Sequence, residues 1–103
     1  MTKRIKHGMP RIRAFTTIWN DVVDLNWWAS SPRLCRVKVA ELIATQPSVT
    51  AKGLKTVERD WRRPIFVVRI NNRLYIRDGH HRATRALQRG QKTIRAWVAT
   101  IAL

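Results

Sequence analysis

Apolar residues recur along this chain with two different periods. In residues 14–32, Phe15, Ile18, Trp19, Val22 and Leu25 fall three or four positions apart, while Thr16, Thr17, Asn20, Asp21 and Asp24 fall mostly on the other side. That is the spacing of an amphipathic helix, expected to end near Trp27-Trp28 before Ser30-Ser31-Pro32 breaks the run. After Pro32 the period shortens to two. Val37 and Val39 alternate with Arg36 and Lys38, which predicts a half-exposed strand leading into Leu42 and Ile43. A loop holding Pro47 and Gly53 follows, with a short helix expected around residues 54–59. The runs PIFVVRI and RLYIRD bracket Asn71-Asn72, a pair suited to positive φ, and so predict two strands joined by a tight hairpin turn. From Gly79 onward Ala83, Ala86 and Leu87 restore helical spacing, and Gly90 is placed to end that helix in a left-handed cap. TIRAWVATI closes the pattern as a strand with Ile94, Ala96 and Val98 on one side.

Charge changes this picture more than length does. The 103 residues are enough for one domain with a modest core. The 21 basic residues outnumber the 6 acidic ones and leave a formal charge of +15, a field that attracts phosphate-bearing polymers. Nucleic acid is therefore the expected partner. No run approaches the ~20 apolar residues needed to span a bilayer, no apolar leader follows the basic start, and the lone Cys35 fits a reducing cytoplasm.

The charge is unevenly distributed. Lys3, Arg4, Lys6, Arg11 and Arg13 crowd residues 1–13 without an acid, which reads either as a loosely ordered arm lying along a phosphate backbone or as a solubilising tail. Residues 14–32 hold no Lys or Arg but carry Asp21, Asp24 and three of the five tryptophans. This segment is expected to serve as core or as a surface for self-association or a protein partner. Base stacking by Trp27 or Trp28 is disfavoured by the lack of neighbouring cations. The remaining 33–103 form the main domain.

Within it, Asp78-Gly79-His80-His81-Arg82 falls at a strand-to-helix junction. A helix starting there leaves its first N–H groups unpaired with the positive end of its dipole behind them. Gly79 lets a ligand approach that backbone closely, and His81 and Arg82 are placed to donate to phosphate oxygens, Arg82 with two prongs. The plainer alternative is that Asp78 caps the helix and the histidines decorate its first turn. Arg82, Arg85 and Arg89 recur at three and four residues and give the helix a cationic face for DNA.

The run from Ile76 to Ala83, followed by Ala86-Leu87, Gly90 and Ile94, resembles the signature of the ParB/sulfiredoxin superfamily. Val37 to Leu42 with Gln46-Pro47, and Arg63-Pro64-Ile65-Phe66-Val67-Val68, match that family's opening strands in order, so the likeness spans roughly residues 35–99. It implies a small α+β domain, a mixed sheet with short helices, here with an extra N-terminal helix, in which the helix start after the hairpin binds phosphate. Members include CTP-binding DNA clamps, ATP-using sulfinic-acid reductases, a free-serine kinase branch and ParB-like nucleases. Where the reductases carry a cysteine this chain has His80, and Cys35 lies elsewhere in the pattern, so reduction is not expected. No helix-turn-helix region follows in this sequence, so site-specific chromosome segregation is not expected either.

Readings from different classes remain. In the first the chain is a largely sequence-independent endonuclease or nickase acting on double-stranded DNA. Asp78 and His80, with Glu41, would hold Mg²⁺ or Mn²⁺ or activate water, and His81 and Arg82 would grip the scissile phosphate. Neighbouring side chains at a helix start project about 100° apart, so both histidines do not face one ion, and a metal-free role for histidine as general acid or base stays open. In the second the same cradle holds a DNA phosphate or a free nucleotide without catalysis, and the Trp-rich segment holds another protein. A minor third reading is small-molecule phosphotransfer with Glu41 as base.

Overall fold

In the computed structural model residues 3–11 and 31–101 are described. The amphipathic helix expected before Ser30, and Arg13, lie outside the described residues.

The main sheet is mixed and five-stranded. Its strands are β2 (Arg33–Lys38), β3 (Leu42–Ile43), β5 (Ile65–Ile70), β6 (Arg73–Asp78) and β7 (Thr93–Thr100), in the order β2-β7-β5-β6-β3. Neighbours β2/β7 and β5/β6 run antiparallel, and β5/β7 and β3/β6 run parallel. The β5–β6 hairpin forms where it is expected, and Asn71 and Asn72 adopt φ of 50° and 64°. Left-handed backbone at both turn positions matches the right-handed twist of the strands, and asparagine tolerates it better than most residues.

Helix α2 (His80–Gln88) carries the chain from β6 to β7. Its Ala83 and Ala86 are fully buried, so small side chains let the helix lie close on the sheet. Gly90 has φ 71°, Gln91 N–H donates to Ala86 O at 2.9 Å and Gly90 N–H to Leu87 O at 3.1 Å. These paired bonds are the glycine-terminated cap the sequence implies. Beneath the helix, Val37, Leu42, Ile65, Val67, Ile76, Ile94, Ala96 and Val98 form the core. Each fully buried Val, Leu or Ile side chain there contributes about 1.5–3 kcal/mol. A second cluster, Val68, Ala99 and Ile101 with Phe66, Ile70 and Tyr75, gathers separately.

Three local expectations shift. The strand alternation does not run through Val39, because β2 ends at Lys38 and Val39–Glu41 is a 3₁₀ turn whose Val39 N–H donates to Lys92 O. The short helix, α1, spans Ala51–Thr56 rather than 54–59, because Thr50 caps it by accepting the Gly53 N–H at 3.0 Å. The basic N-terminal stretch is folded onto the domain instead of forming a loose arm. Arg4–Ile5 (β1) pairs antiparallel with Val49–Thr50 (β4), and Ala44 N–H donates to Pro10 O at 2.7 Å. The cause is a short period-two pattern: His7 and Met9 are buried while Lys6, Gly8 and Pro10 are exposed.

Candidate functional site

Helix α2 begins abruptly because of Gly79. Its φ is 107°, and a Cβ there would lie 2.6 Å from Ile65 Cγ2, so only glycine turns the chain out of β6 this close to β5. No side chain caps the helix. Its first N–H groups have no acceptor within the helix, and they adjoin a hollow of ≈ 360 Å³ lined by Gln46, Val57, Asp78, His80, His81 and Arg82. Asp78 is exposed at the end of β6 and does not cap α2, contrary to the plainer sequence reading.

The histidines hold neighbouring backbone. His80 Nε2 accepts the Thr45 N–H at 2.9 Å, and His81 Nε2 accepts the Thr50 N–H at 3.1 Å. Each acceptor nitrogen must be unprotonated, so each neutral ring carries its proton on Nδ1. Threonines complete the arrangement: Thr45 Oγ1 donates to Ile76 O at 2.7 Å and Thr84 Oγ1 to His80 O at 2.7 Å. Burial lowers the His80 pKa from 6.5 to about 4, with His7 and His81 pushing the same way. Burial also lowers that of His81.

Sequence reasoning missed His7, whose buried ring accepts the Met9 N–H on Nδ1 at 3.0 Å and lies 3.0 Å from Gln46 O through Nε2. All three histidines of the chain thus accept a backbone N–H. The available signal was His7 itself, an aromatic in period-two register with Met9 inside a basic run.

The other expected site residues scatter. Glu41 sits exposed in the 3₁₀ turn and does not line the hollow. The Nε2 lone pair that a metal would need on His80 is taken by the Thr45 N–H. Among the described residues no three His, Cys, Asp or Glu side chains converge as a metal site requires. The expected cationic face of α2 is largely neutralised: Arg82 lies 3.4 Å from Asp60, Arg85 2.8 Å from Glu58, and Arg89 also pairs with Glu58. Asp60 Oδ1 and Arg82 Nε are buried without a hydrogen-bond partner, so this contact is a single prong rather than a fork and leaves Arg82 a donor beside the hollow. Lys3, Arg4, Lys6 and Arg11 are exposed along the N-terminal stretch, and Lys6 and Arg11 border a separate hollow with His7, Met9 and Pro47.

A mixed five-stranded sheet crossed, among the described residues, by helix α2 with a hollow at that helix's start is a sulfiredoxin-like fold. Sulfiredoxin from Arabidopsis thaliana is similar at a TM-score of 0.58, covering 69% of this chain and 89% of that one at 19% identity, a likeness of fold. The family model described as "Antitoxin VapB-like" matches residues 14–102, and the chain belongs to that family. No curated protein matches it. Among the described residues no helix is long and apolar enough to cross a membrane.

Proposed function

We propose that this chain is a non-catalytic binding protein of the antitoxin kind, which engages a protein partner and holds nucleic acid by its phosphates. One observation carries the non-catalytic part: both histidines of the helix start spend their Nε2 lone pairs on backbone N–H groups, Thr45 for His80 and Thr50 for His81. A general base needs that lone pair for substrate. Membership of the antitoxin family supports the protein partner. So does an exposed apolar pair, Leu34 on β2 and Trp97 on β7, which are register partners at 46% and 37% exposure. The excess of basic over acidic residues supports nucleic acid.

A DNA endonuclease or nickase of the ParB-like type is the second reading. It is favoured by the hollow at the α2 start, where the Asp78 carboxylate and the buried Arg82 Nε border helix N–H groups that no side chain caps. The same hollow would take a nucleotide phosphate. The phosphotransfer reading is weaker, since Glu41 stands away from it.

Labelled duplex DNA incubated with Mg²⁺, with Mn²⁺ and with chelator separates these readings. The expected result is a shifted but intact duplex under every condition. Cleavage that disappears in a folded Asp78→Asn or His80→Ala variant would establish the nuclease. For the partner, the tagged chain should recover a stoichiometric protein that arrests growth when expressed alone and not when co-expressed with this chain. Failure to find such a protein removes the antitoxin-type role.

A further inference from the structure

A second hollow of ≈ 300 Å³ shares none of its described lining residues with the first. Arg36, Arg62 and Arg95 surround it with Trp61, Gln91 and Thr93. Arg36 on β2 and Arg95 on β7 are direct register partners, so two guanidinium-bearing side chains stand opposite each other across an antiparallel pair. Like charges in that position destabilise a sheet unless something of opposite sign lies between them.

Among the described residues nothing of opposite sign does so. No carboxylate among the described residues lines the hollow, and Glu58 and Asp60 are engaged with the arginines of α2. Among the described residues Arg36 reaches Thr93 Oγ1 alone, at 3.5 Å. Arg62 is held over the Trp61 ring, 4.9 Å from its centroid, and Trp61 is itself packed against the core. One cation is thus stacked on an indole anchored to the core, and two more face each other beside it. Lys38 lies two residues beyond Arg36 on the same side of the edge strand. Converging cations that retain free donors, with one stacked on an indole, match the tetrahedral oxygens of a phosphate.

We propose that this hollow is a phosphate site, and that through it the edge formed by β2 and β7 grips the backbone of duplex nucleic acid. The site rests on the nucleic-acid half of the function proposed above and moves the contact away from α2, where the arginines already have acidic partners. Its ligand chemistry, a phosphate held by guanidinium forks, is shared by free phosphates. An acidic protein segment is the rival occupant. The chain's overall charge and the three arginines lining the hollow favour the polyphosphate backbone.

Arg36→Glu provides the test, because stability and binding should move apart. The change puts a carboxylate opposite Arg95, so the melting temperature should stay at or above that of the parent. Affinity for a short labelled duplex, read by fluorescence anisotropy, should fall by about tenfold or more, with a shallower salt dependence. Arg73→Glu, an exposed charge-matched control at the hairpin, should change affinity far less. Equal losses in the two variants would mean diffuse charge and overturn the site while leaving nucleic-acid binding standing. A parent protein that binds no duplex at any low salt concentration overturns both. Pyrophosphate or polyglutamate binding more tightly than the duplex, with that binding lost in Arg36→Glu, would also overturn the assignment by giving the hollow to a free phosphate or an acidic partner.

Discussion

At the level of single residues, the histidines set how the protein responds to acid. The folded His80 ring stays neutral down to about pH 4, whereas an unfolded histidine takes its proton near 6.5. Between those values the unfolded chain binds more protons, so stability falls as pH drops from 6.5 towards 4 and is untouched by this group above that window. The loss amounts to about 3 kcal/mol over the window. Denaturant titrations across it would check this, and a stability independent of pH there would contradict the assigned acceptor role of His80. Gly79→Ala should cost at least about 2 kcal/mol, since it adds left-handed strain to a collision with Ile65. Asp78→Asn should leave stability unchanged, because Asp78 caps nothing. The cluster Asp78 to Arg82 was visible in the sequence as something out of the ordinary. The work of each imidazole was not, because the N–H groups they accept come from residues 35 and 31 positions away.

Among the elements, legibility followed how local the cause was. The Asn71-Asn72 hairpin, α2 with its Gly90 cap, and the alternation of β7 depend on neighbours within a few residues, and all appear where their patterns put them. The N-terminal stretch depends on partners far along the chain, Arg4 with Thr50 and Arg11 with Ala44, and its basic composition hid the inward His7 and Met9. Deleting residues 1–11 should therefore lower the melting temperature and expose to exchange the Ala44 and Ala51 N–H groups, which donate to Pro10 O and Lys3 O, instead of merely weakening DNA binding. Unchanged stability in hydrogen-exchange and thermal experiments would show that this stretch is dispensable. The face of α2 was misjudged for a similar reason. Arg82, Arg85 and Arg89 repeat with helical spacing, but their partners Glu58 and Asp60 come from the segment after α1. Arg89→Ala, an exposed charge already paired, should change duplex affinity by less than a factor of about three and stability by under about 1 kcal/mol.

Over the whole molecule, +15 on 103 residues means that the folded state repels itself, and any salt should stabilise it by screening. Diffuse and focused charge make different demands on the anion. If the basic residues act only as a smeared field, sulfate and chloride at equal low ionic strength should raise the melting temperature equally. If Arg36, Arg62 and Arg95 form a discrete site, a tetrahedral dianion binds the folded chain and not the unfolded one, adding a stabilisation that grows with the logarithm of its concentration. Millimolar sulfate should then outperform chloride at matched ionic strength, and the excess should shrink in Arg36→Glu, although that substitution alone relieves a like-charge pair. His80, buried and neutral, should contribute nothing to the difference above pH 6.5. Equal effects of the two salts in the parent protein would place the charge on the surface at large, and the partner of the β2–β7 edge would then have to be sought through the exposed Leu34 and Trp97 instead.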